Sequence, residues 1–183
     1  MKEIYLIGSL RNVGIPKLAV DLRKEGFGVF DDWYSPGPDA DSYWRKYEQD
    51  RGRSYGEALN GYAGKHIFHF DKSHLDGADM VVMLMPAGKS CHLEFGYMIG
   101  NKKPGYILFD KEPERWDIMH QFATGIFFKQ EDLIQKLLEQ EYLAQGIPSS
   151  KIATTWTINS TLPYKGKDIP FLDIVGGGTK CSL

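Results

Sequence analysis

The residues able to do chemistry gather in two loop segments and the carboxylates beside them. From Asp79 to Asn101 the chain reads D-M-V-V-M-L-M-P-A-G-K-S-C-H-L-E-F-G-Y-M-I-G-N: an apolar run, a small-residue loop and a helix that carries Glu94 in its expected first turn. In open α/β sheets ligands bind beyond the carboxyl ends of the strands, so a carboxylate at such a joint faces the ligand crevice. Gly88, Lys89 and Ser90, just ahead of it, offer backbone N–H groups and a hydroxyl to an anion or a sugar hydroxyl at the helix start. Gly8-Ser9-Leu10-Arg11-Asn12 repeats the device after the first apolar run, with Arg11 suited to grip a phosphate or carboxylate through two parallel hydrogen bonds. Two such loops imply a small polar ligand between them. Asp31, Asp32 and Trp33 close a third apolar run and add carboxylates and a stacking surface. Both leading carboxylates also have a plain structural reading: Glu94 as a partner of the helix dipole and Asp71 as the N-cap of a short helix.

Other chemistries lack their motifs. No G-x-G-x-x-G follows the first strand and no G-x-x-x-x-G-K-[ST] occurs, which disfavours dinucleotide redox chemistry and ATP hydrolysis. His66, His69, His74, His92 and His120 show no paired metal-ligand spacing, since the H-x-x-H of His66 and His69 has no third ligand. Neither a metal nor a cofactor is expected.

The elements that must position these residues alternate between strand and helix. Glu3 to Ile7 reads as a buried strand, followed by a helix opening at Pro16 and ending near Gly26, then a short strand from Gly28 to Phe30. After the loop Y-S-P-G-P-D-A-D-S, a helix capped by Asp41 or Ser42 is expected to run to about Leu59, with Trp44, Tyr47, Tyr55 and Leu59 near one core-packed face. The segment D-K-S-H-L-D-G-A reads as a short capped helical turn leading to a strand from Met80 to Met85. Beyond the Glu94 helix come a strand from Tyr106 to Leu108, an apolar stretch near Ile126 to Phe128, and a helix from about Glu131 to Gln145. This alternation predicts an α/β fold, a flavodoxin- or Rossmann-like parallel sheet with helices on both faces. From Gly146 the character changes to a predicted β-hairpin or arm with a flexible end, so the expected division is 1–145 and 146–183.

Composition sets the outer bounds. A chain of 183 residues with 42% hydrophobic content is long enough for a proper core. A net charge of −2 gives no basic excess for polymeric nucleic acid or a membrane surface. Two cysteines, Cys91 and Cys181, make no disulfide framework, and the N-terminus lacks the apolar run of a signal peptide, so a reducing cytoplasm is expected.

Three segments taken together resemble the nucleoside 2-deoxyribosyltransferase family and its nucleotide N-glycosidase relatives. They are I-Y-L-I-G-S-L-R-N, F-D-K-S-H-L-D-G-A-D-M-V-V and P-A-G-K-S-C-H-L-E-F-G-Y-M-I-G-N-K-K-P-G-Y-I-L, spanning roughly Ile4 to Leu108. The resemblance implies a flavodoxin-like sheet, a glutamate nucleophile at Glu94 and a catalytic aspartate at Asp71. It also implies a nucleoside or nucleotide substrate and a homodimer or larger homo-oligomer. The sequence departs from the base-exchanging transferases, which carry more acidic residues where Gly88, Lys89 and Ser90 stand. Ser90 and Lys89 point instead toward a phosphorylated ligand, as in the nucleotide-cleaving relatives.

The implied reaction is cleavage or transfer at an N-glycosidic bond through a glutamate-linked glycosyl intermediate. Gly8, Ser9, Arg11, Asp31, Trp33, Gly88 and Ser90 are the expected substrate-binding residues, with Tyr5, Tyr34 and Tyr97 as further stacking surfaces and Asp31 and Asp32 as substitute acids. Two alternatives stay open: hydrolysis of a nucleoside monophosphate or of NAD, and a nucleotide-binding module without turnover.

Overall fold

The computed structural model describes residues 2–146, and the expected C-terminal hairpin or arm beyond Gly146 lies outside the described residues, as does a test of the two-part division. Five apolar runs form the strands β1 (Glu3–Ile7), β2 (Gly28–Phe30), β3 (Met80–Leu84), β4 (Gly105–Leu108) and β5 (Gly125–Phe127). All pair in parallel, in the order β2-β1-β3-β4-β5. Parallel neighbours need crossovers: α1 (Ile15–Lys24) joins β1 to β2, α2 (Ala40–Asp50), α3 (Tyr55–Asn60) and α4 (Tyr62–Gly77) lie between β2 and β3, α5 (Lys89–Gly100) joins β3 to β4, a 3-10 turn (Ile118–Phe122) lies between β4 and β5, and α6 (Gln130–Ala144) follows β5.

The central strands are apolar along their whole length because both faces are covered. In β1, Ile4 and Leu6 pack with Leu18 and Leu22 of α1 and Leu133 of α6, while Tyr5 and Ile7 turn to Leu75 of α4 and Phe95 of α5. In β3, Val82 and Leu84 join the first layer, and Val81 and Met83 the second. The period of two thus splits one sequence run between two cores. Chain direction reverses its course across the sheet between β1 and β3, which makes their carboxyl ends the crevice where open sheets bind ligands. The loops there touch each other: Asn12 Nδ2 donates to the Met85 carbonyl at 3.2 Å, and Cys91 Sγ to the Gly8 carbonyl at 3.2 Å.

Two expected boundaries are corrected. The helix expected from Asp41 to Leu59 is two helices, broken at Arg51–Ser54, where Gly52 takes φ +67°. Ser54 restarts the chain with a capping box: its backbone N–H donates to Glu57 Oε2 at 2.8 Å, and its hydroxyl accepts from the Glu57 N–H. The aromatic face expected to be core is mostly outside, with Tyr55 73% and Tyr47 50% exposed, and only Trp44 tucks in. The short turn expected at Asp71 is the middle of α4, a 16-residue helix from Tyr62 to Gly77. Asp71 is therefore no N-cap. His66 to Phe70, just before that segment, belong to the same helix, and His74 stacks on Phe30 of β2 at 3.9 Å between ring centres.

Helix α5 sits close to the sheet because β4 begins with glycine. A Cβ on Gly105 would lie 2.9 Å from the Phe95 ring, so a side chain there would push α5 outward. Among the described residues no helix is long and apolar enough to cross a membrane.

Candidate functional site

Tyr5 of β1, Asp71 of α4 and Glu94 of α5 line one cavity of about 280 Å³. The α4 wall follows helical spacing: Phe68, Asp71, Lys72 and Leu75 recur at three and four residues on one face. The α5 wall is Leu93, Glu94 and Tyr97. Glu94 lies in the second turn of α5 rather than the first, one turn beyond the buried Cys91 that ties this helix to the Gly8 loop. At that depth the helix-dipole account of Glu94 fails, since the effect falls off within the first turn.

Both carboxyl groups are half-buried, and neither takes part in an ion pair or hydrogen bond among the described residues. Burial pushes Glu94 up from 4.5 to about 7, and the charge of Asp71 adds to the effect. Burial also raises Asp71, with His74 pulling the other way. The Tyr5 hydroxyl is pushed far above its ordinary range by burial first, then by Glu94 and Asp71. Near neutral pH Glu94 therefore retains its proton in a good part of the molecules, beside an Asp71 whose own hold on a proton is raised. The cavity's cation is committed elsewhere. Lys72 is hydrogen-bonded to Asp76 and, at 3.0 Å, to the Tyr97 hydroxyl, which in turn donates to Asp76 at 2.6 Å.

None of the residues expected to bind substrate, Gly8, Ser9, Arg11, Asp31, Trp33, Gly88 and Ser90, lines this cavity. Gly8 packs so closely on Ile15 that a Cβ would overlap its side chain. Ser9 turns its loop by accepting from the Arg11 N–H at 3.2 Å. Gly88 is the N-cap of α5 and Ser90 is exposed on its first turn. Arg11 lines a different cavity, against α2 and α3. Asp31 is paired with Arg23, which also donates to the Val29 carbonyl at 2.7 Å. Trp33 Nε1 donates to the Leu6 carbonyl at 2.8 Å, and both Trp33 and Tyr34 pack against the core rather than the cavity. Those bonds give Asp31 structural work between the end of β2 and α1, and Trp33 at the end of β1.

Phe68, Lys72, Leu75 and Leu93 line the cavity and were not singled out in the sequence. For the three on α4 the signal was the spacing through Asp71, hidden once the helix was cut at Phe70, and Leu93 adjoins Glu94 on α5. The sheet order, the crevice between β1 and β3 and the carboxylate pair together define a flavodoxin-like α/β protein with a two-carboxylate pocket.

No family model matches the sequence, and no curated protein matches it. A solved structure described as a conserved protein from Enterococcus faecalis V583 aligns with a TM-score of 0.50 at 13% identity, over 76% of this chain and 99% of that one. That likeness shows the fold alone. A 2-deoxyribosyltransferase from Bacillus psychrosaccharolyticus aligns with a TM-score of 0.49 at 17% identity, over 72% of this chain and 90% of that one. A Clostridium botulinum CMP N-glycosidase aligns with 0.43 at 18%, over 74% and 98%.

Proposed function

We propose that this protein cleaves or transfers at the N-glycosidic bond of a (2-deoxy)nucleoside or nucleotide, with Glu94 as nucleophile and Asp71 as acid and base. The observation that carries the reading is the pair itself: two carboxyl groups without partners among the described residues, raised by burial, on helices α4 and α5 of one cavity beside Tyr5 of β1. The sequence resemblance, which matches the same two residues to a nucleophile and a catalytic aspartate, supports it independently.

The steps follow from the groups. A Glu94 carboxylate oxygen bonds to the anomeric carbon as the carbon–nitrogen bond breaks, and the bond's electron pair leaves with the base. Asp71 donates its proton to that base. A second base or water then attacks the glycosyl ester, giving its proton to Asp71 and freeing Glu94. Which acceptor prevails depends on how dry the pocket is. Leu93 and Phe68 stand at the wall with 76% and 60% exposure, and a neighbouring copy of the chain covering them would exclude water.

A second assignment has an observation in its favour. Because burial and the charge of Asp71 raise Glu94 to about 7, Glu94 could hold the proton for the leaving base and Asp71 attack. Leaving-group chemistry separates the two. Base release is measured for Glu94→Gln and Asp71→Asn with deoxynucleosides, deoxynucleotides and NAD, and with an electron-poor base that departs without a proton, circular dichroism verifying the fold. With Glu94 as nucleophile, Glu94→Gln loses activity on everything, whereas Asp71→Asn keeps it on the electron-poor base. The opposite pattern reverses the roles, and binding without base release by the unmutated protein marks a module without turnover.

A further inference from the structure

We infer that Tyr97 of α5, tied to Asp76 and Lys72 of α4, straps the two helices together and so sets the separation of Glu94 and Asp71 across their cavity. Its functional sense rests on the reading of that pair as the reacting groups, for which Tyr97 is then a positioning residue. The Tyr97 hydroxyl donates to Asp76 Oδ1 at 2.6 Å and accepts from Lys72 Nζ at 3.0 Å. Lys72 closes the triangle through its ion pair with Asp76, one turn on, and its ammonium lies 5.0 Å from the centre of the Tyr97 ring. Lys103, just past α5, adds bonds to the end of α4, at the Asp76 carbonyl and, at 2.7 Å, the Ala78 carbonyl.

Position gives the strap its leverage. Tyr97 stands one turn from Glu94 on α5 and Lys72 adjoins Asp71 on α4, so each helix carries a strap residue beside its carboxylate. Leu75 and Phe95 anchor the two helices in the core that contains Tyr5, but the walls between them border a cavity, where no packing holds them at a fixed distance. Among the described residues no other hydrogen bond joins α4 to α5. A partly exposed network of this kind adds little to stability. Its effect is on geometry, where a displacement of about 1 Å can cost about 10²-fold in rate. The strap also keeps its charges while Glu94 titrates: Lys72 and then Tyr97 hold Asp76 below its ordinary value, and Asp76 and then Tyr97 hold Lys72 above its own. The groups facing Glu94 are Asp71 and Lys72 from α4, Tyr5 from β1, and Cys91 and Tyr97 from its own helix. The Tyr97 hydroxyl makes no bond to Glu94 itself, and Tyr97→Phe alters no formal charge, so a changed Glu94 titration in that variant reports the separation.

The test reads Glu94 directly. Full-length protein with glutamate labelled at the side-chain carboxyl carbon is titrated by NMR, the Glu94 signal being the one absent from Glu94→Gln. Tyr97→Phe should lower the midpoint from about 7 by about half a pH unit or more, toward 4.5, as the carboxyl groups part and water enters. Asp76→Ala, at an exposed position outside the cavity wall, should act in the same direction, and the double variant should go no further than the larger single change, since both remove one tie. In base release from deoxynucleosides and deoxynucleotides, Tyr97→Phe should lose about tenfold or more in kcat with KM changed by less than about threefold. Circular dichroism verifies the fold of each variant. An unmoved midpoint in the folded variants, additive effects in the double variant, or a raised KM with kcat intact would each overturn the inference, the last by making Tyr97 a substrate contact. A shifted midpoint in a protein that releases no base would uphold the strap and remove the glycosidic reading.

Discussion

Replacing Glu94 by glutamine should stabilise the protein while removing its activity, and the gain should depend on pH in a defined way. Burial and the neighbouring Asp71 raise Glu94 from 4.5 to about 7, so between those values the native state keeps a proton that the unfolded chain has released. Stability therefore falls as pH rises from about 4.5 to about 7, and stays lowered above. Titrating 2.5 pH units late corresponds to a ceiling of about 3 kcal/mol, reduced where water reaches the half-buried side chain. Glutamine carries no such penalty. For a domain of this size 1 kcal/mol moves Tm by roughly 2–4 °C, so Glu94→Gln should melt several degrees above the unmutated protein at pH 8, with a ceiling of roughly 6–12 °C. At pH 4.5 the two should melt together. Differential scanning calorimetry at pH 4.5, 6, 7 and 8 reads this directly. Equal Tm values at pH 8, or a difference independent of pH, would refute a buried, proton-sharing Glu94.

Four further outcomes follow from the same geometry. Because the proposed mechanism needs one proton between Glu94 and Asp71, and Glu94 titrates at about 7, kcat/KM for ordinary bases should fall as pH rises through about 7, as a pH profile will register. In Asp71→Asn acting on an electron-poor leaving base, activity should instead rise with pH to a midpoint below 7, since the charge that helped raise Glu94 is gone; a midpoint unchanged from the unmutated protein would contradict the coupling. The same variant should lose about 10²–10⁴-fold on ordinary bases, and a uniform loss across leaving groups would reduce Asp71 to a positioning residue. Gly105→Ala should cost about 1–3 kcal/mol in urea unfolding, because its methyl meets the Phe95 ring that seats α5; an unchanged midpoint would mean the helix yields freely.

The sheet was legible because its strands are buried on both faces. Runs such as Ile4 to Ile7 and Met80 to Leu84 permit little else, and the alternation with helices dictates parallel pairing. The carboxylates were legible by type and by resemblance, but their surroundings were not. Asp71 followed the aromatic stretch His66 to Phe70, whose exposed Ile67, Phe68 and Phe70 blur the helical period, so α4 was cut in two and its cavity-facing residues went unseen. The opposite error joined α2 to α3, although Gly52 and the Ser54–Glu57 spacing both mark a break. Asp31 and Trp33 illustrate a third limit. Nothing local distinguishes a ligand-facing acid or indole from one bonded to Arg23 or to the Leu6 carbonyl, because those partners are brought in by tertiary packing.

The most direct test is chemical capture of the intermediate. The protein is incubated with a panel of deoxynucleosides and deoxynucleotides, quenched in acid and digested, and peptides are sequenced by mass spectrometry. Glycosyl transfer through Glu94 predicts a peptide from α5 heavier by one deoxyribosyl group, with fragmentation placing the mass on Glu94 and the adduct absent from Glu94→Gln. Base release accompanied by an adduct on Asp71, or by none under conditions that trap one in a known retaining enzyme, would contradict it.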